Sequence, residues 1–348
     1  MVNTTRIAAF ACANGLGHVR RVAAISTFIL KNGFNGYIDL FIPYTHIKFL
    51  QNWPDMDYLI NSPQVKIVDF EYPLSSQKVN QNFFGKDWLN INLPDLKKYD
   101  IVWSDNIVNI LEKRRDTIFT GSFFWHEVFQ DKLNENGLYN FVKEQRKIVK
   151  SVKPLMMGNE YFSTPDVRGI TNFFPVGLYR YSLLFKEKNN KGILISCGLG
   201  GEEEEMARDA VSEIISKNII PPEVLYVEAR LLPKKYPEWI QLADFSDDMF
   251  IDCVAACIRP GIGTLSDALI GRNRVFAFCN ENSFEMNHNC DVLKKMNLGS
   301  KYSSPLEAYL NAIKFINKDG AIDSQILRTT HLRTDGVFAT ANLLINQE

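Results

Sequence analysis

An apolar run from Ile251 to Ile258 breaks at Arg259-Pro260-Gly261-Ile262-Gly263-Thr264 and resumes, after a stretch of helical character, at Val275 to Phe278. Few folds accommodate that order. A strand that ends on a Pro-Gly turn, passes into a helix opened by small residues and returns as another strand is a βαβ unit. Such units build parallel sheet with right-handed crossovers. Glycine in the turn lets a ligand approach the backbone, because there is no Cβ to collide with it. The exposed N–H groups and positive dipole end of the helix favour an anion. Asp267, about one turn into the helix, is placed to hydrogen-bond a sugar diol, as acids do in dinucleotide folds. The stretch predicts a site for a phosphate and a ribose.

The same order occurs twice more. Arg6 to Ala13 is a short apolar run that ends in Asn14-Gly15-Leu16-Gly17-His18, and Val22, Ile25, Ile29 and Leu30 then mark one helix face. Strands are predicted over residues 37–42, 65–70, 99–104 (closing on Asp105-Asn106) and 116–121. The pattern restarts at Gly192 to Ser196, followed by Cys197-Gly198-Leu199-Gly200-Gly201 and an acidic run, Glu202 to Glu205. Acidic residues in a first helical turn complement the dipole by roughly 0.3–1 kcal/mol each at a surface. They also repel a phosphate set too close, so this loop is expected to line the site without gripping the anion. The fold class that follows is α/β, with two Rossmann-like doubly wound domains facing a central cleft. The expected boundaries are 1–170 for the first domain, 171–330 for the second, and 331–348 for a last helix crossing back to the first. Residues 72–94, with aromatics, amides and little periodicity, read as a long loop containing a short helix.

The 348 residues are too many for most single cores and suit two domains of ordinary size. A net charge of −1 argues against a nucleic-acid partner, which calls for a basic excess. The six cysteines are scattered and lack zinc-site spacing, as expected of structural thiols in a reducing cytosol. No signal peptide is evident and no apolar run reaches the length of a membrane span. The expected location is cytoplasmic. Lys97-Lys98 and Lys113-Arg114-Arg115 leave room for peripheral contact with the inner membrane surface, although most such runs are solvated faces.

Three segments together carry a family resemblance: Asp244-Phe245-Ser246-Asp247-Asp248-Met249, Arg259-Pro260-Gly261 through Ala268, and Phe284-Glu285-Met286-Asn287-His288-Asn289. They resemble, in order and spacing, the F-x-D-D-M, R-x-G-x-x-T-x-S-E and E-Q-x-x-N elements of GT-B glycosyltransferases of the MurG-like group. The resemblance implies that residues 1–170 form an acceptor domain and that residues 171–330 form a nucleotide-sugar domain holding a UDP-sugar donor. Phe245 and Ser246 would present backbone to the uracil beside Met249, and Arg259, Gly261, Gly263 and Thr264 would form the phosphate turn. Asp267 would hold the ribose, with Glu285 and Asn289 towards the donor sugar. Met286 replaces the amide of that pair, which puts N-acetylglucosamine as donor in doubt. Val176-Gly177-Leu178-Tyr179-Arg180 resembles V-G-N-P-V-R, which would bring Arg180 to the diphosphate. Gly15-Leu16-Gly17-His18 is closer to a sister group that includes the UDP-sugar hydrolase of pseudaminic acid synthesis. Trp125-His126-Glu127 resembles an H-E-Q element.

Transfer from a nucleotide sugar needs a base for the acceptor, an oxocarbenium-like centre and a stabilised leaving diphosphate. Histidine titrates near neutral pH, so His18, exposed by a glycine turn, is the candidate base. His126 with Glu127 forms a second candidate acid–base pair, for which packing is an equal account. Asp247 and Asp248 are adjacent at a helix start, so their side chains diverge rather than chelate. Helix dipoles and Arg180 would stabilise the departing diphosphate instead, with no metal and no cofactor. The leading expectation is an inverting glycosyltransferase acting on a glycan, lipid-linked or other hydroxyl acceptor, in surface polysaccharide or glycolipid synthesis. Two alternatives stand beside it: a nucleotide-sugar hydrolase in which His18 activates water, and a binding protein without catalysis.

Overall fold

The structure, a computed structural model, describes residues 4–51, 53–70, 91–130, 138–180, 192–198, 203–318 and 320–346. Residues 72–90 of the expected long loop, including Phe83, Phe84 and Trp88, lie outside the described residues, as do Gly200 and Glu202. The chain divides into two compact units, Met1–Tyr179 with Asp335–Glu348, and Arg180–Thr334.

In the first unit the elements run β1 (Thr5–Ala11), α1 (Leu16–Lys31), β2 (Gly36–Ile42), α2 (Tyr44–Leu50), α3 (Pro54–Asn61), β3 (Val65–Asp69), β4 (Ile101–Asp105), β5 (Ile118–Gly121), α4 (Trp125–Val128), α5 (Leu138–Val152), β6 (Leu155–Asn159), α6 (Pro165–Gly169) and β7 (Asn172–Val176). They build a parallel sheet of order β3-β2-β1-β4-β5-β6-β7. β1 is an interior strand, and its alternation feeds two cores. Ile7, Ala9 and Ala11 pack with Val22, Ile25 and Ile29 of α1, whereas Ala8 and Phe10 pack with Phe119 of β5 and Phe141 of α5. Both faces are covered, which is why these strands read as continuous apolar runs.

β7 pairs with β6 from Leu155↔Asn172 to Asn159↔Val176, so the first sheet extends beyond the expected boundary at residue 170. The chain after it stays tied to the same unit. The Asp335 carboxylate accepts the Gly177 N–H at 2.8 Å, and the Gly336 N–H donates to Leu178 O at 3.1 Å. A Cβ at Gly336 would lie 2.5 Å from Gly177 O, so only glycine lets the chain pass there. The last helix, residues Gly336–Ile345, belongs to this unit, with Val337, Ala341 and Leu344 in the α1 core.

The second unit runs β8 (Gly192–Ser196), α7 (Glu203–Ser216), β9 (Leu225–Val227), β10 (Ile240–Leu242), α8 (Asp247–Asp252), β11 (Cys253–Ile258), α9 (Ile262–Ile270), β12 (Arg274–Phe278), α10 (Phe284–Lys295), β13 (Gly299–Tyr302), α11 (Pro305–Ile316) and α12 (Ala321–Thr329); the last helix of the chain is α13. Its sheet has the order β10-β9-β8-β11-β12-β13, and every strand pair is parallel. The acidic run does more than complement a dipole. Glu203 is buried and accepts the Asn280 N–H at 2.9 Å, while Glu204 pairs with Arg208 and Arg230, each at 2.7 Å.

Candidate functional site

The first sheet reverses its winding between β1 and β4. Open α/β sheets bind ligands at such a point, beyond the carboxyl ends of the strands. Gly15 precedes α1 at φ 85° and ψ 163°, a region only glycine occupies without strain. A Cβ at Gly17 would meet nothing within 4 Å, so the turn is open above its backbone. His18 follows; it is buried, not exposed as the glycine turn suggests, because its ring turns inward, where Nδ1 lies 2.5 Å from Oδ1 of Asp105, the last residue of β4.

Asp105 is fully buried and receives more than the histidine. Arg21 donates from Nε to Oδ2 at 2.6 Å and from Nη2 to Oδ1 at 2.8 Å. The Thr120 hydroxyl donates to Oδ2 at 2.6 Å and itself accepts from the Trp103 indole at 2.9 Å. Burial alone would raise the carboxyl, but Arg21 foremost, and then His18, hold it down to about 2. An ionised carboxylate only accepts, so Nδ1 carries a hydrogen, and in the neutral imidazole that tautomer leaves the lone pair on Nε2. His18 and Arg21 are three apart on α1, and that spacing brings both to one face. His46 of α2 is held below its usual range by burial and by the proximity of His18. Asn106, next to Asp105, is buried at φ 66°, a left-handed conformation that amide side chains tolerate better than most.

His126 and Glu127 belong to a different network. Glu127 accepts from the Phe124 N–H at 3.0 Å, the Thr164 hydroxyl at 2.6 Å and the Asp166 N–H at 3.1 Å, which ties the starts of α4 and α6 together. Burial pushes its carboxyl up against those bonds. The His126 ring meets Gln145 Oε1 at 3.2 Å and Asp166 Oδ2 at 3.0 Å. The bond to His126 and those to Arg146 hold the Asp166 carboxyl low despite its partial burial. These residues brace α4, α5 and α6.

In the second unit the winding reverses between β8 and β11. After β8, the N–H groups of Cys197 and Gly198 both donate to Glu228 Oε2 at 3.1 Å, and the Ser196 hydroxyl adds a third bond at 2.8 Å. Gly198 takes φ 65° to make that turn. The chain's own carboxylate thus fills the donor cluster expected to line the site, and Arg230 neutralises it. After β11 the turn differs. Gly261 precedes α9 with no side chain capping the helix, and Gly263 and Thr264 lie in its first turn. Arg259 lies 3.6 Å from Glu203. Asn289 of α10 donates to Pro260 O at 2.8 Å and so fixes the turn from behind. Met286, also on α10, is buried with its methyl 3.9 Å from a Cβ placed at Gly261; the thioether is packing, which explains how the position dispenses with an amide.

Asp267, one turn into α9, is buried and lies 2.5 Å from Nη1 of Arg180. Arg180 also pairs with Asp247 at the start of α8, and its guanidinium lies 5.2 Å over the Phe250 ring. The two carboxylates raise the guanidinium pKa against the opposing effect of burial. Just before α8, Phe245 adopts φ 56°, costly for an aromatic residue by about 1 kcal/mol or more. Ser246 caps α8 through the Met249 N–H at 3.1 Å, and Met249 is buried beneath. Glu285 lies in the first turn of α10. The structure therefore brings Arg180, Asp247 and Asp267 together, and sets Gly261, Gly263, Thr264 and Asn289 around the start of α9.

Among the described residues no group of three or more His, Cys, Asp or Glu side chains is arranged to hold a metal ion, and no helix is long and apolar enough to cross a membrane. No family model matches the sequence, and comparison with curated proteins gives no significant match. Solved structures do match over the full length. The kitacinnamycin glycotransferase aligns at TM-score 0.65 and 12% identity, covering 99% of this chain and 98% of that one. The chain has the GT-B fold. LpCGTa, solved in complex with UDP, aligns at 0.62 and 11% identity over 97% of both chains. UGT71G1 of Medicago truncatula, solved with UDP-glucose, aligns at 0.60 and 10% identity, over 99% of this chain and 95% of that one.

Proposed function

We propose that the protein is an inverting, metal-independent glycosyltransferase of the MurG-like kind that moves a sugar from a UDP-linked donor to a hydroxyl of a glycan or lipid-linked acceptor. The observation that carries this proposal is the His18–Asp105 pair, a histidine oriented by a buried, ionised carboxylate at the winding reversal of the first GT-B sheet. His18 Nε2 takes the acceptor proton as the hydroxyl oxygen attacks the anomeric carbon. The bond from that carbon to the diphosphate breaks, its electron pair leaves with UDP, and attack from the opposite face inverts the centre. Asp105 steadies the imidazolium that forms. His126 and Glu127 serve as a brace in this scheme.

The second unit is assigned the donor. The uncapped start of α9 and Arg180 meet the negative charge that develops on the diphosphate. Asp267 accepts from the ribose hydroxyls while Arg180 links it to the diphosphate. The left-handed Phe245 and the cap at Ser246 present backbone to the base. A uridine donor draws support from the three motif segments and from the UDP and UDP-glucose carried by two similar structures. Synthesis of surface polysaccharide or glycolipid is the setting that the motif segments favour.

The test is a panel of UDP-sugars incubated with and without hydroxyl acceptors, reading UDP and free sugar. Acceptor-dependent UDP release is expected. Full-rate release of UDP and free sugar without acceptor would assign a hydrolase, and tight UDP binding without turnover a binding protein. Two further outcomes follow. EDTA should leave turnover within about twofold, since backbone N–H groups and Arg180 supply the leaving-group stabilisation; collapse restored by Mg²⁺ or Mn²⁺ would reject the metal-free scheme. Asp267→Ala should weaken UDP by on the order of 1.5–3 kcal/mol and erase any preference for UDP over its dideoxyribose analogue. A folded variant that keeps that preference would remove Asp267 from the ribose.

A further inference from the structure

Cys279 follows the last residue of β12, and Cys290 lies two turns into α10. Their sulfur atoms are 3.9 Å apart. Cys279 is partly exposed, whereas Cys290 is buried. A disulfide needs a sulfur separation of about 2.05 Å, so each sulfur would move by about 1 Å, within reach of side-chain torsions at a strand end. The setting of Cys279 differs from that of the interior thiols. Asn287 Oδ1 lies 3.7 Å from its sulfur and also receives the Lys301 ammonium at 2.7 Å. The hydrogen bond with Cys290 foremost, and Lys301 to a lesser degree, hold the Cys279 thiol below its usual range against partial burial, while the same bond and burial push the Cys290 thiol up until Cys279 has reacted. Cys12 and Cys197, by contrast, are pushed up to about 12 by burial. The thiolate is the reacting species in exchange, so exposure and charge single out Cys279 among the six.

We propose that Cys279 and Cys290 form a redox-active dithiol that low-molecular-weight disulfides such as oxidised glutathione close to an intrachain disulfide. The Cys279 thiolate attacks one sulfur of glutathione disulfide, expels a glutathione thiolate and leaves a mixed disulfide. Cys290 then gives its proton to the expelled glutathione thiolate, attacks Cys279 Sγ and expels the second glutathione thiolate. Two protein thiols are oxidised, and one glutathione disulfide is reduced to two thiols. The order follows from access: the partly exposed thiol meets the reagent and the buried one resolves it. The bond would fasten α10 to the end of β12. This chemistry stands apart from the glycosyl-transfer proposal, and failure of one leaves the other untouched.

The test incubates the native protein with oxidised glutathione, quenches with acid and alkylating agent, and reads intact mass and a peptide map. Loss of the mass of two hydrogens, with one cross-linked peptide pair containing residues 279 and 290 and reversal by dithiothreitol, is expected. Cys290→Ser should accumulate a glutathione adduct at Cys279, and Cys279→Ser should give neither cross-link nor adduct. Alkylation of both cysteines after oxidation, a persistent adduct on Cys279 in the parent protein, or a cross-link through another cysteine would each overturn the proposal.

Discussion

His18→Ala is expected to lower turnover by roughly 10²–10⁴-fold, the usual contribution of a positioned general base. UDP affinity should stay within about twofold of the parent, because the donor is assigned to the second unit. The fold should survive. His18 is buried in the first turn of α1, so the variant leaves a cavity the size of the ring, while Arg21 still holds Asp105. Added imidazole should restore part of the lost rate, since the cavity left by the ring accepts a base of the same kind. A folded His18→Ala protein that keeps more than about a third of parent activity would make the histidine structural.

Much of the frame was legible because parallel strands buried on both faces must be apolar throughout. The strand residues 7–11, 192–195 and 253–258 have no polar face to alternate with, and each stretch is followed by a glycine turn that marks where a helix begins. Legibility failed at the sheet edge. β7 contains Pro175 and exposes Phe174, as an edge strand tolerates, so it carries neither an apolar run nor a clean alternation. The expected boundary at residue 170 therefore fell short of the observed passage at Tyr179.

The candidate site was legible where it is local. Gly15, Gly17 and His18, and the turn from Arg259 to Thr264, are single segments whose backbone demands appear in the residues themselves. Asp105 was visible only as a strand end. Its pairing with His18 joins residues 87 apart and exists because β4 lies next to β1 in the sheet. An acid closing the strand beside the first, and an arginine three residues after the histidine, are the signals that could have found it. Glu228, 30 residues from Gly198, was hidden for the same reason. Met286 read as a lost amide contact, while its burial against the Gly261 turn depends on how α10 packs.

Asp105→Asn is expected to damage both stability and rate, and more deeply than its near-identical shape suggests. Oδ1 receives His18 and Arg21 Nη2, and Oδ2 receives Arg21 Nε and Thr120. Either orientation of the asparagine amide turns an NH₂ group against two donors. The Arg21 side chain is then buried without its countercharge, a loss of about 3–5 kcal/mol when one partner of a buried pair is removed. An amide NH₂ facing His18 also favours the tautomer with hydrogen on Nε2, which cannot serve as base. Turnover per folded molecule should fall by roughly 10²-fold or more. The pH dependence separates charge from shape. The parent carboxyl titrates at about 2 when folded, against about 3.9 when unfolded. Its folded pKa is depressed, so its contribution of about 2.5 kcal/mol is complete above pH 5 and is lost as pH falls through 4 towards 2. Asparagine cannot titrate. The stability gap between parent and Asp105→Asn should therefore be widest near neutrality and narrow by more than about 1 kcal/mol by pH 3, in urea unfolding at matched ionic strength. A gap independent of pH over that interval would mean that Asp105 is not held ionised by Arg21, and the orientation of His18 would need another source.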